Sequence, residues 1–144
     1  MRARTFLSQL QQNQIVAAIR DAEAKTSGEI RVFISRKAVE DPIPAAQAHF
    51  LKLGMDKTQH RNGVLLFVAP RTRKFAIIGD AGVHARCGDT FWRELAEEMA
   101  AHFRRSEFTT GIVHGIRKAG ELLAQHFPAR RGDKNELSDD VAHD

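Results

Sequence analysis

Apolar side chains recur at two different periods along the chain, and the changes of period mark out its elements. From 8 to 25, Ile15, Ala18, Ile19 and Ala22 fall at helical spacing, and Gly28 supplies a stop. Ser8 suits the N-cap, with Gln11 completing a weak capping box. From 29 to 37 the period drops to two. Ile30, Val32 and Ile34 point one way, and Arg31, Phe33 and Ser35 point the other, which predicts a strand with one fully apolar face. Pro42 and Pro44 cannot sit in a ladder, and Pro44 suits the first turn of a helix reaching about residue 55, with Phe50, Leu51 and Leu53 on its apolar side.

The run Val64-Leu65-Leu66-Phe67-Val68-Ala69 is continuously apolar, as a strand buried on both faces requires. A short polar connection, 70–73, leads to a third strand over 75–78. So short a link favours an antiparallel hairpin, whereas the strand–helix–strand unit before it favours a parallel crossover. Gly79-Asp80-Ala81-Gly82 then reads as a turn. Asp89 is placed to N-cap a helix over 90–104, whose core face is Trp92, Leu95, Met99 and Phe103. A last helix over 110–126 buries Ile112, Val113, Ile116, Leu122 and Leu123, and Pro128 ends it. A doubly apolar central strand needs helices on both faces. The predicted fold is therefore α/β, a three-layer α/β/α sandwich with a small mixed β-sheet. Its domain spans 1–128. Residues 129–144, with three basic and five acidic side chains, form a weakly acidic tail that by default is loosely ordered.

Composition narrows the setting. A chain of 144 residues fits one domain. Its net charge of +4 is too small to imply nucleic-acid binding, and the basic turn Arg71, Arg73 and Lys74 lacks the stacking aromatics such a module adds. No tyrosine is present, and Phe67 and Phe75 read as core. The lone Cys87 excludes an internal disulfide and a Cys-rich zinc site, and fits a reducing compartment. Gln9, Gln11, Gln12 and Asn13 interrupt the apolar stretch that a secretory signal would need, and no run approaches the ~20 residues of a membrane span. The expectation is a cytoplasmic protein with no transmembrane segment and no nucleic-acid partner.

Topology places the candidate chemistry. Gly28-Glu29, Arg61-Asn62-Gly63 and Gly79-Asp80-Ala81-Gly82 all belong to the sheet end opposite the 70–73 turn. Asp80 and Asp89 are hard oxygen ligands for Ca²⁺ or Mg²⁺, with Glu29 a weaker third. Asn62 offers an amide oxygen, Arg61 a phosphate clamp, Gly82 a close backbone approach, and His84 an acid or base beside a metal. The plainer account stays open beside this one. Gly-Asp-Ala-Gly is ordinary turn chemistry, Asp89 an ordinary cap, and Asn62-Gly63 an ordinary strand entry. Cys87 and Arg93 have the C-x5-R spacing of a phosphatase loop, but the residues between lack the glycines of an anion cradle beyond Gly88. The seven histidines include no H-x-x-x-H pair, and G-x-S-x-G, Walker A and G-x-G-x-x-G motifs are missing.

Several local words resemble one family, the TPM domain. They are Thr26-Ser27-Gly28-Glu29-Ile30-Arg31-Val32, Arg61-Asn62-Gly63 with the apolar strand after it, Ile77-Ile78-Gly79-Asp80-Ala81-Gly82, Phe91-Trp92, Phe108-Thr109-Thr110-Gly111-Ile112 and His126-Phe127-Pro128. They extend from about Ser8 to Pro128. The family includes a thylakoid acid phosphatase, a photosystem repair factor and an auxiliary subunit of a nicotinic receptor. The resemblance implies the same α/β/α sandwich, in a short soluble bacterial-type branch, and implies function far less, because one fold hosts several roles. Two functions are expected from different classes. One is a protein-binding adaptor, with a divalent ion at one sheet end and a protein as its partner. The other is a weak metal-dependent acid phosphatase using Asp80 and Asp89.

Overall fold

The computed structural model describes residues 2–129 and 139–144. Its sheet has the order β3-β2-β1-β4. The strands are β1 (Glu29–Ile34), β2 (Gly63–Ala69), β3 (Lys74–Gly79) and β4 (Ala142–His143). Strand β1 pairs parallel with β2, and β2 pairs antiparallel with β3, as the connection lengths predict. The helices are α1 (Ala3–Gln9), α2 (Gln12–Glu23), α3 (Pro42–Lys52), α4 (Ala81–Cys87), α5 (Thr90–Arg104) and α6 (Phe108–His126).

The alternation in the strands divides the core in two. Ile30, Val32, Ile34, Val64, Leu66 and Val68 face α1, α2, α5 and α6, where Ile15, Ile19, Leu95, Met99, Ile112, Ile116 and Leu123 meet them. Phe33, Leu65, Phe67, Ala69 and Ala76 face the other way, onto Ala46, Phe50 and Met55 in and after α3. Every residue of β2 is buried, as a strand covered on both sides must be. The result is the three-layer sandwich; among the described residues, α3 is the α-helix of the thin layer.

The structure corrects the sequence reading at several points. The helix expected from Ser8 starts only at Gln12, as α2; a separate helix, α1, precedes it and runs through Ser8, and the buried Leu10 between the two joins the core. Helix α3 has Pro44 in its first turn, as expected; it begins at Pro42, where the Asp41 side chain accepts a hydrogen bond from the Ile43 N–H, and ends at Lys52 rather than about Met55. Asp80 is the N-cap of α4, where a turn was expected; Val83 is fully buried and ties that short helix down. Asp89 does occupy the N-cap position of α5, but its side chain makes no capping bond. Val113 and Leu122 are only half-buried.

The end of the expected loose tail is a fourth strand. Ala142 and His143 pair with Phe33 and Ile34 of β1. The Asp144 carboxylate accepts hydrogen bonds from the Ser35 hydroxyl at 2.7 Å and the Arg36 N–H at 2.6 Å. Burial would raise the Asp144 pKa, yet these bonds hold it below its ordinary value. The rest of the expected tail, 130–138, lies outside the described residues.

Candidate functional site

Register places the candidate end of the sheet. Glu29 is opposite Gly63, and Gly79 is opposite Val64, so the start of β1, the start of β2 and the end of β3 converge. Arg61 and Asp80, 19 positions apart, meet there in a two-pronged ion pair. The Arg61 Nε–H donates to Asp80 Oδ2 at 2.8 Å, and Nη2 donates to Oδ1 at 2.9 Å. Asp80 Oδ1 also accepts from the Ala81 N–H at 2.7 Å, which caps α4. The pair sits at the surface on one side only: the Arg61 side chain is 53% exposed and that of Asp80 6%. Asp80 holds the Arg61 guanidinium pKa above its ordinary value by hydrogen bond and charge.

Backbone bonds lock the same corner. The Asp80 N–H donates to Gly63 O at 2.9 Å, and the Gly82 N–H donates to Arg61 O at 3.0 Å. Arg61 itself takes a left-handed backbone, φ 51°. Gly82 is required by close approach rather than by a ligand: a Cβ there would lie 2.6 Å from His60 O and 2.7 Å from Arg61 O. Asn62 is buried; its side-chain Nδ2 donates to Ser27 Oγ at 3.2 Å, and its backbone carbonyl accepts from the Glu29 N–H at 3.4 Å. Arg61, Asn62, Asp80 and Gly82 thus form one clasp joining the loop before β2 to the start of α4.

The other expected site residues fall beside or apart from this clasp. His84 Nδ1 lies 4.0 Å from Asp89 Oδ1, but the Asp89 side chain is 83% exposed. Glu29 belongs to a different set. It hydrogen-bonds Glu23 at the end of α2, and Glu23 in turn bonds Asp139 and accepts from the Ile30 N–H at 2.8 Å. Nothing local in the sequence marks Glu23 and Asp139, two carboxylates so far apart, as neighbours. Among the described residues, no group of three or more His, Cys, Asp or Glu side chains is arranged to hold a metal ion. Of the residues expected to hold Ca²⁺ or Mg²⁺, Asp80 serves Arg61 and Ala81, Glu29 serves Glu23, and Asp89 lies exposed beside His84. Burial pushes the Cys87 thiol up, with Arg86 opposing, which is the reverse of an activated nucleophile.

Burial pushes the Glu23 carboxyl up to about 10, and Asp139 and Glu29 add to the rise. An acid whose folded pKa exceeds its unfolded value keeps its proton longer in the folded state. Stability from this group is therefore full below 4.5 and is lost as pH rises towards about 10. Glu23→Gln should remove that loss. Urea melts should show the variant more stable than wild type at pH 8 by on the order of 1 kcal/mol, allowing for solvent screening of a half-buried group, with little difference at pH 4. Parallel stability–pH curves for the two proteins would contradict the assignment.

Among the described residues, no helix is long and apolar enough to cross a membrane. Residues 2–122 match the family whose description is the TPM domain. The solved NMR structure of the BA42 protein from the psychrophilic bacterium Bizionia argentinensis is 38% identical, with a TM-score of 0.85 over 94% of this chain and 96% of that one. The N-terminal domain of the cg2496 protein from Corynebacterium glutamicum is 19% identical, with a TM-score of 0.62 over 81% of this chain and 75% of that one. An N-terminal domain from P. gingivalis is 16% identical, with a TM-score of 0.60 over 80% and 76%. These last two share the fold alone. No curated protein matches the chain. With its family match covering most of the sequence, the chain belongs to the TPM domain family.

Proposed function

We propose that this domain is a protein-binding module that works without turnover, its partner seated on the outer face of α3. The observation that carries this reading is where apolar surface remains uncovered. Ile43 and Leu51, 53% and 61% exposed, are the exposed large hydrophobic side chains among the described residues, and both lie on α3. Pro44, Gln47 and Ala48 are exposed between them, so the stripe carries no charge over two turns. Exposed single apolar residues are commonplace, whereas an uncharged stripe on one helix suits a partner with a complementary apolar face. The clasp at the sheet end would then be structural support.

Substituting both anchors tests this. Ile43→Glu with Leu51→Glu should leave the fold intact, since both side chains already face water. The expected outcome is a partner that wild type captures from cell extract, binds again as a purified protein in calorimetry, and loses at least tenfold in affinity with the double variant. Equal affinity for both proteins would contradict the α3 face.

The second reading is metal-assisted phosphomonoester hydrolysis at Asp80 and Asp89. It draws support from Arg61 and His84 lying beside those carboxylates. It is weakened by the engagement of both Asp80 oxygens.

A further inference from the structure

At the sheet end away from the clasp, a cavity of about 460 Å³ opens beneath the β2–β3 connection. Its apolar wall is Phe6, Phe75, Phe103 and Phe108. The rings form a continuous set: Phe6 and Phe108 are 4.8 Å apart between centroids, Phe75 meets Phe103 edge to face at 5.1 Å, and Phe103 lies 6.3 Å from Phe108. Gly111 permits this, because a Cβ there would meet the Phe103 ring at 2.7 Å. The polar side of the cavity is cationic, with Arg73, Lys74 and Arg104, and no acidic side chain lines it. All three cations are exposed, and none has a carboxylate partner within ion-pair distance among the described residues.

A volume of a few hundred Å³, an aromatic wall and a few convergent polar groups are what a small-molecule site needs. Flat rings stack favourably on phenyl faces and edges, and unpaired cations at the mouth select a negative head group. We propose that this cavity binds a small aromatic anion, its ring against the four phenylalanines and its carboxylate or phosphate facing Arg73, Lys74 and Arg104. The site is independent of α3 and of the clasp. It gives the basic hairpin tip a role that a solvated turn would not have.

Calorimetry and ¹H–¹⁵N NMR titration of the full chain with 2-naphthoate test it. The expected result is saturable binding with a Kd of about 1 mM or tighter, at least tenfold stronger than for the uncharged 2-naphthamide and stronger than for octanoate. The amides of Ala100, Phe103 and Phe108 should shift. Arg73→Gln with Arg104→Gln should weaken binding at least tenfold while the melting temperature is kept. Ala100→Phe, which fills the cavity and leaves all three cations, should abolish it. The site is overturned by any of three outcomes: no saturable binding, equal binding of 2-naphthamide, or full binding by a folded Ala100→Phe protein. Tighter binding of octanoate would overturn the aromatic ligand.

Discussion

Phe67→Ala should cost about 4 kcal/mol of stability and lower the melting temperature by roughly 12 °C. Phe67 is fully buried in the middle of β2, on the face packed against α3 and Met55. Its ring stacks on Phe33 at 5.9 Å and on His49 of α3 at 5.6 Å. Truncation removes the apolar area of a whole ring and leaves a hole between sheet and helix. Here the hole cannot close cheaply, because α3 is held at its start by the Asp41 cap and followed by the buried Met55. The same truncation should loosen α3 first, so amide exchange along Ala46–Phe50 should rise more than along α6. Equal exchange changes in both helices would contradict a two-part core in which α3 depends on Phe67. A loss below about 1 kcal/mol in a urea melt would contradict the packing itself.

Gly82→Ala should cost about 3 kcal/mol, although it adds a single methyl group and raises helix propensity. The added Cβ would meet His60 O at 2.6 Å and Arg61 O at 2.7 Å. Both obstacles are backbone, so neither can turn aside as a flexible side-chain tip would. Moving them pulls on the Gly82 N–H to Arg61 O bond and on the left-handed backbone of Arg61. It therefore strains the Arg61–Asp80 pair as well. Overpacking of this kind costs about 1–3 kcal/mol, and the coupled cap and ion pair place the expectation at the upper end. Ala81→Gly, one residue away, should cost no more than about 1 kcal/mol. Thermal melts of the two variants side by side check this; equal losses would mean that close approach is not what position 82 demands.

Much of the fold was legible because it rests on period. The alternation of Ile30, Val32 and Ile34, the unbroken apolar run from Val64 and the short 70–73 link together specify strand order and direction for β1 to β3. The features with no local signal depend on distant partners or on very short elements. Leu10 breaks α1 from α2 because the core needs its side chain there, and no glycine or proline announces the break. Helix α4 lies in a glycine-bearing segment and is held by one buried valine, Val83. Strand β4 is two residues of an otherwise polar tail, recruited by Asp144 capping Ser35 and Arg36.

The candidate site shows the same division. Topology correctly brought Arg61, Asn62, Asp80 and Gly82 to one end of the sheet. Residue type alone could not say that Arg61 would face Asp80 rather than a phosphate. A carboxylate 6% exposed with an arginine on both oxygens and a helix N–H in reach is a cap with a counter-ion. Glu29 points to the same lesson: it bonds Glu23, which also bonds Asp139, an arrangement that no local motif reveals.

The claim that this end of the sheet is a clasp, in a domain that binds without turnover, meets its most direct test in one measurement. That measurement is hydrolysis of para-nitrophenyl phosphate by the purified protein with Mg²⁺, Ca²⁺ or EDTA, alongside Asp80→Asn shown to be folded at the assay temperature. The expected result is no turnover above the buffer rate under any condition, by either protein. Metal-dependent turnover by wild type that EDTA removes, and that the folded Asp80→Asn variant lacks, would contradict the account.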